Sequence, residues 1–186
     1  SSQYGLSKYS NENTSINDKW KGETFKKGDM NTTLIHTNNG KTIMLQHDVT
    51  SPRPYSRLFT VSGTEGFIQK YPVKSMSFSP NSHRSLNSND INDTIIKYQP
   101  SVIKNIKQKA KEIGGHGGMD YIMDYRLIYC LRNGLPLDMD VYDAAEWSSI
   151  VELSKISVDK GSRPMKIPDF TRGNWNRIKK VNYFTK

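Results

Sequence analysis

The hydrophobic period of this chain changes once, near residue 100, and that change restricts the fold more than any other feature. Before it, β-branched and apolar residues come in short runs at 32–37, 42–49, 57–61 and 67–71, with a further short run at 73–78. Asn38-Asn39-Gly40 separates the first two runs, and an Asn-Gly step between such runs is the strongest local hairpin signal. A turn at 62–66 joins the third run to the fourth, and residues 79–99, rich in Ser, Asn and Asp, read as a surface loop. After residue 100 the apolar spacing becomes about 3.6, the period of a helix. Ser101 is placed to cap a helix carrying Val102, Ile103, Ile106, Ala110 and Ile113, ended by Gly114. A second helix takes Met119, Ile122, Met123, Arg126, Leu127, Cys130 and Leu131 on one face and closes at Gly134 and Pro136. Asp140 caps a third, whose expected buried edge is Val141, Ala144, Ala145, Ser148, Val151 and Ile156. Strands followed by helices predict the α+β class: an open, mostly antiparallel sheet with helices packed on one face. Residues 1–30, polar with Tyr4, Tyr9, Trp20 and Phe25 scattered through them, read as an irregular or weakly helical lead-in, and residues 31–186 as one α+β domain. The tail from residue 167 carries aromatics without a clear period.

A net charge of +9 raises the question of a nucleic-acid partner. Basic residues gather at 104–111 and 177–180, but the first group falls on the polar positions of an amphipathic helix, where a solvated face accounts for it. No zinc-finger spacing, aromatic RNA-binding strand or helix-turn-helix pattern accompanies it, so no nucleic-acid partner is expected. No apolar run approaches the roughly 20 residues of a membrane span. Ser1-Ser2-Gln3-Tyr4 has neither an initiator Met nor a basic and apolar leader, so the chain is expected to begin inside something longer. Cys130 has no cysteine partner within the chain and sits in an apolar helical pattern, where it reads as a buried, inert thiol. The compartment stays open.

Two stretches carry candidate chemistry. Residues 113–121 (IGGHGGMDY) place four glycines around His116. A phosphate loop would end in Gly-Lys-Ser/Thr, and a dinucleotide fingerprint would follow a strand. Neither condition holds, and His36, His47, His83 and His116 lack metal-ligand spacing, so no metal site is expected. The segment reads as a helix-to-helix join, with His116 a hydrogen-bonded orienting residue. In residues 51–57 (SPRPYSR) two prolines bracket Arg53 and keep the chain extended at a strand end. Tyr55 is thereby presented with a ring that can stack on a sugar's C–H face and a hydroxyl that can bond to it; a rigid loop with an ordinary surface tyrosine is the equal alternative. Asp138, Asp140 and Asp143 crowd a helix start, where capping and the helix dipole explain them. No catalytic carboxylate pair stands out, and no complete active site is legible from these residues alone.

Taken together, residues 28–35 (GDMNTTLI), 39–48 (NGKTIMLQHD), 51–57 (SPRPYSR), 115–120 (GHGGMD), 134–145 (GLPLDMDVYDAA) and 168–173 (PDFTRG) resemble the C-terminal part of glycoside hydrolase family 109. These are bacterial NAD-dependent α-N-acetylgalactosaminidases on the Gfo/Idh/MocA oxidoreductase plan. The resemblance runs in order from about residue 28 to the end. It implies a parent with an N-terminal Rossmann domain, absent from this chain, that holds NAD, and a second domain to which this chain corresponds. It also implies hydrolysis of terminal N-acetylgalactosamine by oxidation at sugar C3, elimination of the aglycone, addition of water and return of the hydride. Tyr55 matches the tyrosine that contacts the substrate sugar; Arg53 and His116 are weaker substrate-binding candidates. The family's Tyr-x-x-His segment and glycine-rich NAD fingerprint have no counterpart here and are expected before Ser1, so no catalytic or cofactor-binding residue is assigned in this chain and NAD is not expected to bind it. The expected partners are an N-acetylgalactosamine glycan or glycoside and a second copy of the protein, met through the exposed sheet face. A Gfo/Idh/MocA sugar oxidoreductase and a non-catalytic carbohydrate-binding or oligomerisation module are the alternatives.

Overall fold

The computed structural model describes residues 5–13, 20–23, 25, 28–81 and 83–177. Tyr4 and residues 178–180 of the second basic cluster lie outside the described residues. The α+β class is observed, with five α-helices and five strands in two antiparallel sheets among the described residues. The chain divides into two compact units, one formed by residues 1–52 and 141–173, the other by residues 53–140 and 174–186.

The first unit holds α1 (Gly5–Glu12), the hairpin of β1 (Met30–His36) and β2 (Thr42–Asp48), and the long α5 (Val141–Asp159). The hairpin forms where the Asn-Gly signal put it, with Leu34 opposite Met44 and Ile35 opposite Ile43. Its turn is not the two-residue type that needs positive φ at two successive positions. Gly40 alone takes a positive φ, 72°, and its N–H reaches the Thr37 carbonyl at 2.9 Å, while Thr37 N–H bonds the Lys41 carbonyl. This is a wider loop closed by one left-handed glycine. Side chains alternate across the pleat, and β1 follows suit: Thr33 and Ile35 are half-buried, Thr32, Leu34 and His36 exposed. The inner face meets α5, where Thr33 Oγ1 lies 2.9 Å from Ser154 Oγ.

Asp29 anchors the start of this unit. It is 1% exposed, the one fully buried side chain among the unit's described residues. Its carboxylate accepts the N–H groups of Gly5 and of Leu6 (3.0 Å), while its carbonyl accepts Val49 N–H at 3.0 Å. One residue therefore satisfies two otherwise unpaired amides at the N-terminus of α1 and extends the β1–β2 ladder. The face expected to be buried on α5 is turned: Val141 is 71% and Val151 64% exposed, and Ala144 and Ser148 are exposed too. Of the expected edge, Ala145 and Ile156 are half-buried, and they are joined by Asp143, Ser149, Ile150, Leu153, Ser154, Ser157 and Val158. The turn follows the polar contact of Ser154 with Thr33 of β1, which fixes the inward edge of the helix.

The second unit contains β3 (Thr60–Ser62), β4 (Gly66–Gln69) and β5 (Ser75–Phe78), then α2 (Ser88–Lys97), α3 (Ser101–Ile113) and α4 (Met119–Arg132). Its three strands pair in sequence order. β3 is shorter than expected because Leu58 takes a φ of 44°, outside the extended region, and so cuts off the start of the run. The expected loop at 79–99 is broken by α2. Asn87 caps it, accepting the N–H groups of Asn89 and Asp90, and Ile91 is buried to 4% exposure. An Asn followed three residues later by an acid, with Ile91 and Ile95 one turn apart, was the available signal. Ser101 does not cap α3; Pro100 occupies the cap position and Ser101 is the first helical residue. The lysines at 104, 107, 109 and 111 are exposed, as a solvated face requires.

A short 3₁₀ turn, His116–Gly118, joins α3 to α4. Gly118 is buried with a φ of 96°, and a Cβ there would stand 2.7 Å from both the carbonyl carbon and oxygen of Ala110. The glycine-rich join therefore sets how closely α4 begins against α3. From that contact the buried line runs through Ile122, Arg126 and Cys130, one turn apart, with Cys130 1% exposed. The rest of the expected stripe is open to water: Met119, Met123, Leu127 and Leu131 are all exposed. Leu135 N–H returns to the Cys130 carbonyl at 2.9 Å and closes the helix at Gly134.

Gly118→Ala is expected to cost about 2 kcal/mol or more, combining the left-handed strain with overlap against Ala110. Gly117→Ala, also at positive φ but with nothing within 4 Å of its Cβ, should cost only about 1–2 kcal/mol. Denaturant unfolding of both variants checks the order; equal losses would mean that the contact with Ala110 contributes nothing.

Candidate functional site

The loop between β2 and β3 carries the leading candidate. The Asp48 carboxylate accepts the N–H groups of Thr50 (3.1 Å) and Ser51 (3.0 Å), which turns the chain out of β2. In the second unit, residues 53–59 then run without regular structure. Tyr55 is 69% exposed. Arg57 Nε donates to Tyr55 Oη at 2.6 Å, across a bend of the chain centred on Tyr55. Lys70 N–H bonds the Phe59 carbonyl at 2.9 Å, continuing the β3–β4 ladder by one step and bringing Tyr71 beside the loop. The Tyr55 and Tyr71 rings meet edge to face, with centres 5.7 Å apart and planes at 89°. Lys70 Nζ lies 5.2 Å from the Tyr71 ring centre. The result is a corner of two aromatic rings, Tyr55 exposed and Tyr71 half-buried, flanked by two cations.

Arg53 is exposed on the same loop. His116 is placed apart: its Nδ1 sits 2.9 Å and 3.1 Å from the two carboxylate oxygens of Asp120, one turn along the join into α4. Its φ of 46° is fixed by the glycine-rich turn. Among the described residues no hydrogen bond or ring contact links His116 to Tyr55. The reading of His116 as a hydrogen-bonded residue of the join is borne out, with Asp120 as the partner.

Sequence reasoning missed the other members of the corner. Arg57 was readable in principle from its i+2 position, whereas Tyr71 arrives only through strand pairing. It also assigned Asp138 to capping and the helix dipole. Asp138 forms a two-point ion pair with Arg126, Nε to Oδ2 at 3.0 Å and Nη2 to Oδ1 at 2.7 Å, with both side chains largely buried. That pair ties the segment after α4 back onto the helix. Among the described residues no group of three His, Cys, Asp or Glu side chains could hold a metal ion, and no helix is long and apolar enough to cross a membrane.

In the first unit, residues 169–173 form a closed carboxylate turn. Asp169 Oδ1 accepts Thr171 Oγ1 (2.6 Å) and Thr171 N–H (2.9 Å), and Oδ2 accepts Gly173 N–H (2.6 Å). The Thr171 hydroxyl above all, then the Gly173 and Thr171 amides and the Lys166 charge, hold the Asp169 carboxyl below its ordinary value of 3.8 against desolvation, the second-largest contribution, which raises it. A lowered folded-state pKa adds stability above the unfolded value and loses it as pH falls through the folded one. An NMR titration should place the Asp169 midpoint below 3.8, and Thr171→Ala should move it upward; a midpoint unmoved by that substitution would contradict the assignment.

A family profile described as Glycosyl hydrolase 109, C-terminal domain, matches residues 1–177. Glycosyl hydrolase family 109 protein 1 of Bacteroides thetaiotaomicron is 50% identical over 168 residues, covering 83% of this chain and 36% of that protein. The corresponding Porphyromonas gingivalis protein is 51% identical over 169 residues, with the same coverage of 83% and 36%. A Bacteroides fragilis protein named Alpha-N-acetylgalactosaminidase is 49% identical over 175 residues, 94% of this chain and 41% of that protein. The chain thus spans about 36–41% of the length of these curated relatives.

Proposed function

Because the chain belongs to glycosyl hydrolase family 109, as its C-terminal domain, we propose that the protein containing it is an NAD-dependent glycosidase releasing terminal N-acetylgalactosamine by oxidation, elimination, addition and reduction. This chain is then the part that binds and orients the sugar. The observation that carries the reading is the placement of Tyr55, 69% exposed on the 51–57 loop and held from two sides by Arg57 and Tyr71. An aromatic ring offered to solvent in a fixed orientation suits the C–H face of a pyranose, and its hydroxyl suits a sugar oxygen. Arg53 on the same loop and His116 at the glycine-rich join are secondary substrate contacts.

NAD is assigned to a segment outside this chain. Two observations support this: the glycine-rich segment joins two helices instead of following a strand, and the Gly118 and Asp120 N–H groups at the start of α4 already bond the Gly115 carbonyl. Calorimetric titration of NAD into the isolated chain of 186 residues should give no saturable heat, and micromolar binding would overturn this assignment.

Self-association through the exposed face of the β1–β2 hairpin is a further element of the proposal. Leu34 and Met44 stand opposite each other and are 71% and 70% exposed, a pair seldom left in water. Light scattering on the full-length protein should report an oligomer that Leu34→Lys weakens; a strict monomer at high concentration removes the idea.

Kinetics on a chromogenic N-acetylgalactosaminide test the substrate role of Tyr55 in the full-length protein. Tyr55→Phe should lower kcat/KM by the equivalent of about 0.5–1.5 kcal/mol, one neutral hydrogen bond. Tyr55→Ala should cost more, because the stacking surface goes too. Melting temperatures should barely move, since the ring is exposed. Full activity in Tyr55→Ala would clear Tyr55 of any substrate role.

A further inference from the structure

The pairing of Tyr55 with Arg57 has a direction. A guanidinium nitrogen carries only donors, so in the 2.6 Å contact Nε–H must donate and Tyr55 Oη must accept. The phenolic hydrogen lies close to the ring plane and cannot point at Arg57, where another hydrogen already sits. Tyr71 meets the Tyr55 ring at 89° and limits its rotation, so the in-plane directions open to that hydrogen are set as well. A charged donor also withdraws electron density from Oη and strengthens the remaining O–H as a donor.

We infer that Arg57 is a positioning residue for substrate recognition: by occupying the acceptor side of Tyr55 Oη, it makes Tyr55 a directed hydrogen-bond donor to an oxygen of the bound sugar. This rests on the reading of Tyr55 as a substrate contact. The sugar atom facing Tyr55 must then be an acceptor, a hydroxyl, ring or acetamido carbonyl oxygen. Arg57 itself acts through Tyr55, so its effect on binding is bounded by the effect of removing the hydroxyl.

The test is a double-mutant cycle in the full-length protein, with a chromogenic aryl N-acetylgalactosaminide as probe and a thermal melt for each variant. Arg57→Leu should raise KM by about fivefold, no more than Tyr55→Phe does, with kcat within about twofold. Arg57→Lys, which keeps a charged donor, should recover most of the loss. In the Tyr55→Phe background, Arg57→Leu should change nothing further. Additive losses would overturn the inference by showing that Arg57 acts apart from Tyr55, as would an unchanged KM in Arg57→Leu alongside a raised KM in Tyr55→Phe. A silent Tyr55→Phe would instead remove the substrate role of Tyr55, and this inference with it. If Arg57→Leu fails to fold, Arg57→Met, which also lacks a donor, takes its place in the cycle and Arg57→Lys remains the rescue variant.

Discussion

A contact that leaves no room for a side chain governs the helical half of this structure. Gly118 lies against the backbone of Ala110 at a distance no Cβ could tolerate. Since side chains on a helix repeat on one face every three to four residues, that contact determines which face of α4 turns inward. Ile122, Arg126 and Cys130 follow it, and Arg126 is thereby brought to the Asp138 carboxylate. An apolar helix residue such as Leu131 is left in water not for want of hydrophobicity but because the rotation is already spent on Gly118.

The first unit is organised around a polar group instead. Its described residues bury no large apolar side chain completely; Asp29 takes that place and collects the amides at the start of α1 while its own carbonyl joins the hairpin ladder. A buried carboxylate is costly unless each oxygen has a partner, and here both do. The Thr33–Ser154 contact between β1 and α5 is polar too. Specific hydrogen bonds, more than area removed from water, define how these elements meet.

The site was partly legible because its determinants are local. Prolines on either side of Arg53 and the two-residue spacing of Tyr55 and Arg57 are properties of one short segment, and such spacings read directly. Tyr71 was not legible, since the strand ladder through Lys70 and Phe59 delivers it. His116 was readable as part of a join, yet its partner Asp120 was not named although it stands one helical turn away. The Asp138 carboxylate was misread for a similar reason: near a helix start it looks like a cap, and only the folded chain shows Arg126 reaching it.

What the sequence determined by itself was the set of local choices. The change of period put the five strands of the described residues before residue 100 and the three longest helices after it, Gly40 closed the hairpin, and the glycines around His116 marked a join. It could not settle the rotation of α4 and α5, the early end of β3 at Leu58, or the neighbours of Tyr55. Periodicity says that a helix has an apolar face, but which residues of that face are covered depends on close backbone contacts and side-chain hydrogen bonds made across long separations. Those contacts are made only when the elements meet, and so the tertiary structure alone decided them.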